Sequence, residues 1–328
     1  KQKTAYEIVD CDWSSDVCSS DLVKKRVVRK PASGKKIAAK KAVGKLVIFG
    51  VGLIGGSFAL ALKQQRAVGH VVGVGRTRAN LLAAKRLGII DEIATDPAAA
   101  VRDADIVLLA VPLAQNAAVL ATIAPHIGAK TIVTDAGSTK RDIIKQARRH
   151  LGDKFPRFVP AHPIAGTEKS GATAAFATLY RDHELIITAE RETDARAIAK
   201  VAAAWRIAGM RINRMRAADH DRMFALVSHL PHIVAYALVG QIAGYRDAQT
   251  LLAHTGGGFR DTTRIAGSSP EMWRDVCLSN RDALLPALDD YIAEFGRLRR
   301  LLKTRNAAGL ETRFAKARSV RERWLKYR

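Results

Sequence analysis

After residue 45 the chain alternates two kinds of hydrophobic pattern. Short, wholly apolar runs such as LVIFG (46–50), HVVGV (70–74), DIVLLAVP (105–112) and TIVTDAGS (131–138) are separated by segments in which apolar residues recur every three or four positions (79–87, 115–124, 139–149). Wholly apolar runs suit strands buried on both faces, and the intervening period suits helices that cover a parallel sheet. The alternation continues through residues 158–159, 184–189, 194–208 and a short strand near 211, and predicts a doubly wound α/β domain. After Ala217 the strand pattern stops. The remainder reads as helices interrupted at Pro231, Gly256 to Gly258, Pro270 and Pro286, so a domain boundary is expected between 210 and 218. The expected organisation is a basic extension over 1–44, a Rossmann-type dinucleotide-binding domain over 45–214 and an all-α helical domain over 215–328.

The first glycine turn sharpens the reading. Gly50, Gly52 and Gly55 form G-x-G-x-x-G directly after one strand and directly before a helix, with a second strand about twenty residues on. Gly50 permits the tight turn, Gly52 lets a pyrophosphate approach the backbone, and Gly55 lets helix and strand pack closely. Leu53 and Ile54 between them, and Val111 and Pro112 at the end of a later strand, complete the expected cofactor contacts. An acid usually ends the second strand of an NAD site and takes the ribose 2′-hydroxyl. Here Gly75, Arg76, Thr77 and Arg78 stand in that place, which predicts NADP as the favoured cofactor with NAD usable.

Composition narrows the class. With 48% hydrophobic and 26% charged residues the chain is not disordered throughout. No uninterrupted run of eighteen apolar residues is present, so no membrane association is expected. The formal net charge of +23 is concentrated at the ends. Ten Lys/Arg and no acid lie in 23–45, and twelve Lys/Arg against Glu311 and Glu322 lie from Arg297 onward. Such runs are solvated tails or helix faces, and nucleic-acid binding is not expected as the main function. The three cysteines form no metal or disulfide pattern, which predicts no metal site and fits a reducing, cytoplasmic setting.

Ligands of open α/β sheets sit beyond the carboxyl ends of the strands. Two chemically active residues fall there: Ser138, after TIVTDAG, and His162, in the expected loop AHPIAGTEKSG. A histidine can accept a hydroxyl proton near neutral pH. In the helical half, SHLPH (228–232) and GGGFRDTTRIAGSSPEMWRD (256–275) place glycines beside Arg260, Asp261, Arg264 and Trp273, a composition suited to an anionic substrate.

Taken together, FGVGLIGGS, LGIIDE, ADIVLLAVP, DAGSTK, AHPIAGTEKSG, HDRMFALVSHLPH and the 256–275 segment resemble the prephenate/arogenate dehydrogenases of tyrosine biosynthesis, over almost the whole chain after residue 45. The resemblance implies a helical domain that forms an intertwined homodimer and an active site in the cleft between domains. It makes His162 the acceptor for the substrate ring hydroxyl, with Ser138 bridging that hydroxyl, His162 and the nicotinamide. Thr167 and Glu168 flank the pocket, His229 lies near the substrate, and His232, Gly257, Arg260 and Asp261 line or gate it. Trp273 stands behind, and Arg264 grips a substrate carboxylate. The implied reaction is oxidative decarboxylation of prephenate to 4-hydroxyphenylpyruvate, or of arogenate to tyrosine. With 44 residues ahead of the fold and the chain ending after the helical domain, a monofunctional enzyme is expected, in which tyrosine, if it inhibits, acts at the active site.

Two other classes fit less of the sequence. A Rossmann dehydrogenase for 3-hydroxy acids would place a catalytic lysine in the helical half, where SHLPH and GGGFRDTTR stand instead. A non-enzymatic nucleotide- or nucleic-acid-binding protein would rest on the basic ends alone. The helix over 225–244, hydrophobic almost all round, is expected to be buried, in the dimer interface if not in the chain's own core.

Overall fold

The computed structural model describes residues 41–167 and 169–326. Residues 1–40 of the expected extension over 1–44, with Cys11 and Cys18, lie outside the described residues, as does Glu168. The first domain is built on six parallel strands, β1 (Val43–Phe49), β2 (Val68–Val74), β3 (Glu92–Ile93), β4 (Ile106–Leu109), β5 (Ile132–Asp135) and β6 (Phe158–Val159), in the order 3-2-1-4-5-6. Between them run the helices α1 (Leu53–Gln64), α2 (Arg78–Arg86), α3 (Pro97–Ala100), α4 (Asn116–Ile123) and α5 (Arg141–Leu151). The alternation of side chains explains why these strands read as continuous apolar runs. Leu46, Ile48, Val71, Ile106, Leu108 and Ile132 enter one core, whereas Val47, Phe49, Val72, Val107, Leu109 and Val133 enter the core on the opposite face.

Two expectations change here. β1 starts at Val43, two residues before the expected domain start, because Val43 pairs with Val68 and is fully buried. The later strands also leave the main sheet. β7 (Ala161–Ile164), β8 (Glu184–Ile187) and β9 (Arg211–Arg214) form a separate three-stranded sheet in the order 7-8-9, with β7 antiparallel to β8 and β9 parallel to it. His162, expected in a loop, therefore stands on β7, opposite Ile186. Pro163, which cannot donate to a ladder, is tolerated at this sheet edge. α6 (Ala195–Ile207) packs Trp205 on Phe58 of α1, with ring centroids 4.1 Å apart.

The helical part comprises α7 (Ala217–Phe224), a π turn (Ala225–His229), α8 (Leu230–Ala243), α9 (Ala248–Ala253), α10 (Gly257–Thr263), α11 (Pro270–Ser279), α12 (Arg281–Lys303) and α13 (Ala307–Leu325). Neither Pro231 nor Pro286 breaks its helix as expected. Pro231 falls in the first turn of α8, directly after the π turn, where its missing N–H is not needed. Pro286 lies inside α12. Pro270 and Gly256 do mark helix starts, at N1 of α11 and at the N-cap of α10.

Residues Ala217–Ala243 form one continuous helix of 27 residues, whose most apolar 18-residue window has mean hydropathy 1.6, long and apolar enough by length and composition to cross a membrane. Only 22% of its apolar window is buried within the chain, so the burial expected of this helix is not supplied by its own chain. Its polar residues His220, Asp221 and His229 face inward and are buried. The buried hydrophobic cluster centred on this helix holds only Ala225, Leu230, Leu284 and Ala287. Among the described residues, the exposed large hydrophobic side chains, apart from Leu82, Leu87 and Phe176, all lie after Ala217.

Candidate active site

The glycine turn has the geometry a dinucleotide needs. Gly50 sits at φ +90, where a Cβ would also come within 2.3 Å of the Ala110 carbonyl oxygen. A Cβ on Gly55 would come within 2.5 Å of the Gly50 oxygen. Gly52 opens α1, and a Cβ there would meet nothing within 4 Å. The first N–H groups of α1 have no side-chain cap and face this open space, so the residues present fit a pyrophosphate. The loop is braced from outside: Asn80 donates to the Val51 oxygen at 2.7 Å and accepts from the Ala172 N–H at 2.9 Å, and the Tyr180 hydroxyl donates to the Ile54 oxygen at 2.6 Å. At the end of β2, Arg76, Thr77 and Arg78 are exposed, and one Arg76 nitrogen lies 3.9 Å from Glu271 of α11. Val111 and Pro112 are half-buried beyond β4.

Where the main sheet ends, β5 and β7 are clamped together by a buried ion pair. The Asp135 carboxylate accepts from Lys140 Nζ at 2.5 Å, from the Gly137 N–H at 2.8 Å and from the Ala161 N–H at 3.0 Å. Lys140 Nζ also donates to the Ala161 oxygen at 2.7 Å, and both charged side chains are fully buried. Burial pushes the Lys140 ammonium down, against the opposing pull of Asp135. This clamp fixes the turn carrying half-buried Ser138 beside the strand that carries His162. Among the described residues the Ser138 hydroxyl has no hydrogen-bond partner.

A second cluster joins the two domains. His162 Nδ1 is 2.9 Å from His220 Nε2, and His220 Nδ1 is 2.8 Å from Asp221 Oδ1. The Asp221 carboxylate also accepts the Lys140 and Arg141 N–H groups at 2.8 and 2.9 Å, so a residue of α7 caps the start of α5. Asn280 donates to the Asp221 carbonyl oxygen at 2.8 Å and lies 3.0 Å from His229 Nδ1. As the Asn280 amide nitrogen is a donor, His229 accepts at Nδ1 and carries its proton on Nε2, a buried atom with no partner among the described residues. That N–H is an unused donor.

Burial dominates the titration of the site. It pushes His162 well below its usual 6.5, helped by the Lys140 ammonium and by the neighbouring imidazoles of His220 and His229. It brings His229 down to about 4 and lowers His220 despite the Asp221 carboxylate. Burial raises Asp221, but the His220 contact and the two backbone donors outweigh it and hold the carboxyl low. All three histidines are therefore neutral and Asp221 ionised near neutral pH.

The outer wall is aromatic and basic. His232 stacks on Trp273 with centroids 3.5 Å apart, and its Nδ1 donates to the Ser228 oxygen at 2.9 Å. Burial lowers His232, and the nearby Arg264 charge lowers it further. Arg264 and Arg260 line a depression of about 470 Å³ with Thr255, Gly256 and Gly257. Arg260 and Asp261 are over four-fifths exposed, with their charged groups 3.9 Å apart. Thr167 is exposed on the loop after β7. The structure thus gathers His162, His229, His232, Trp273 and Arg264 around the domain junction and leaves Arg260, Asp261 and Thr167 at its rim. Sequence reasoning missed Lys140, His220, Asp221 and Asn280. At about 100° per residue, His220 and His229 lie on opposite sides of a regular helix; the π turn between them changes that phase.

A sheet with strand order 3-2-1-4-5-6, a glycine turn at a helix N-terminus and a histidine cluster at the junction with a helical domain together define a dinucleotide-dependent dehydrogenase. The chain belongs to the prephenate dehydrogenase family: residues 58–214 match that family's nucleotide-binding domain, and residues 216–316 match its dimerization domain. It is 39% identical over 278 residues to the cyclohexadienyl dehydrogenase of Zymomonas mobilis, covering 84% of this chain and 94% of that one. It is 35% identical to the prephenate dehydrogenase of Bacillus subtilis, covering 84% and 75%. The solved structure of Aquifex aeolicus prephenate dehydrogenase in complex with hydroxyphenyl propionate and NAD+ superposes with a TM-score of 0.80 at 33% identity, covering 88% of this chain and all of that one. Synechocystis arogenate dehydrogenase gives a TM-score of 0.71 at 29% identity, covering 85% and 99%.

Proposed function

We propose that this chain oxidatively decarboxylates prephenate or arogenate, with His162 as the acceptor for the ring hydroxyl. The observation that carries this reading is a neutral, half-buried histidine at the domain junction, with an unused His229 N–H donor close by and Arg264 further out beside His232. The bound dinucleotide supplies the hydride acceptor. As hydride leaves the hydroxyl-bearing carbon and carbon dioxide leaves the opposite ring carbon, the ring becomes aromatic. The hydroxyl proton stays on the phenol, so the balance requires no strong base. The residues' tasks are to orient the ring, polarise the hydroxyl and hold the anionic groups. His162 accepts the hydroxyl hydrogen bond as positive charge develops on that carbon. Ser138, fixed by the Asp135–Lys140 clamp, lies on the cofactor side, and Arg264 offers a carboxylate fork.

NADP is the cofactor we favour, since the end of β2 presents Arg76, Thr77 and Arg78 and no acid that would repel a 2′-phosphate. Comparing kcat/KM for NADP and NAD with prephenate and with arogenate tests both choices. The expected result is a preference for NADP that Arg76→Ala weakens while leaving NAD unchanged; a clear preference for NAD would refute it.

We also propose a homodimer built on the helical part. The support is the matched dimerization domain and the exposed apolar side chains of the π turn (Leu226, Val227), α12 and α13, more than a monomer ordinarily leaves in water. Light scattering at micromolar concentration should give twice the chain mass, and a monomeric mass would refute the proposal.

A further inference from the structure

The three-member chain from β7 to α7 fixes more than the position of His162. We propose that His220 and Asp221 are positioning residues that hold His162 in the tautomer whose lone pair lies on Nε2, the nitrogen turned away from His220. This rests on the reading of His162 as the hydroxyl acceptor.

The hydrogen-bond inventory permits one assignment. An ionised Asp221 only accepts, and the three partners of its carboxylate, the N–H groups of Lys140 and Arg141 and the ring of His220, all approach as donors. His220 therefore carries its proton on Nδ1. Being neutral, it has only a lone pair on Nε2, and at 2.9 Å that lone pair must take the Nδ1 proton of His162. The Nε2 of His162 is left without a proton, as an acceptor. With the opposite tautomer, His162 would point a second donor at a substrate hydroxyl whose own hydrogen then has no acceptor.

Burial and the Lys140 charge favour neutral imidazoles in this chain, and they outweigh Asp221 and Asp135, which pull His220 toward the charged form. Lys140 and Asp135 lie beneath it on β5 and the following turn, and His229 lies across from it on the π turn. The Lys140 ammonium, paired with Asp135, opposes a second positive charge on either imidazole, while the two backbone donors of α5 keep Asp221 ionised. Since the reaction returns the hydroxyl proton to the product, the chain is no exit route for protons; its work is orientation.

Nitrogen NMR of the substrate-free, histidine-labelled protein above neutral pH reads the tautomer directly, with His162→Asn assigning the signals. The expected spectrum has a protonated Nδ1 and an unprotonated Nε2 on His162; a protonated Nε2 would overturn the proposal, whichever substrate the enzyme takes. In kinetics, His220→Phe should lower kcat about tenfold or more with KM held. His220→Gln, whose amide oxygen can still accept from His162 Nδ1, should recover most of that loss. Equal losses in the two variants, or none in His220→Phe, would contradict it. Absence of turnover with both prephenate and arogenate would instead remove the substrate assignment and leave the NMR result to judge the tautomer.

Discussion

Replacing His162 with asparagine is expected to lower kcat by about 10²-fold or more with little change in KM. The imidazole meets charge that appears only as hydride departs, so its contribution belongs to the transition state and not to ground-state binding. The pH profile carries the same signature. Protonation at Nε2 removes the acceptor, and burial together with the Lys140 charge and the neighbouring His220 and His229 rings places that protonation well below 6.5. The wild-type kcat should therefore stay level from neutral pH down through 6.5 and fall only in more acidic solution. An acid limb at or above 6.5, or an unchanged kcat in His162→Asn, would remove this histidine from the mechanism.

Lys140→Met is expected to cost about 3–5 kcal/mol of stability, because it leaves the fully buried Asp135 carboxylate without its cation. Two backbone donors, from Gly137 and Ala161, would remain on that carboxylate, too few to replace a buried counter-charge. The double substitution Asp135→Asn with Lys140→Met removes both charges and should recover a large part of the loss. Denaturant unfolding of the three proteins measures this. A single variant within about 1 kcal/mol of wild type would show that the pair contributes little to holding β5 against β7.

Much of this architecture was legible in the chain because buried parallel strands and glycine turns leave local signals. The run LVIFG and the glycines at 50, 52 and 55 need no distant partner to be read. The second sheet was harder. AHPI has a proline and a histidine in four residues and no strand alternation, and it becomes β7 only because β8 supplies an antiparallel partner and Asp135 holds the Ala161 N–H. The break expected at Pro231 failed because proline stops a helix only where its N–H is needed, and the π turn ahead of Pro231 relaxes that requirement; nothing in the structure explains why α12 runs on through Pro286.

The site divides in the same way. His162, His229, His232 and Arg264 stand in segments whose composition draws notice, and the fold brings them to one junction. His220 and Asp221 look like an ordinary polar pair opening a helix, and Lys140 like any lysine before a helix start. Their burial is a property of packing between β5, β7 and α7, which no local pattern encodes. The pair of observations that would have pointed to them, a His-Asp dipeptide and a Ser-His pair on an otherwise apolar helix, falls out of phase until the π turn is known.

Oxidative decarboxylation at the junction of the two domains can be observed in a single assay. The purified protein is incubated with prephenate, and separately with arogenate, in the presence of NADP or NAD, and both cofactor reduction and the aromatic product are followed. The expected product is 4-hydroxyphenylpyruvate or tyrosine, formed in equal amount to the reduced cofactor and to carbon dioxide, and abolished or slowed about 10²-fold in His162→Asn. Failure to reduce either cofactor with either substrate, or reduction without loss of carbon dioxide, would contradict this assignment.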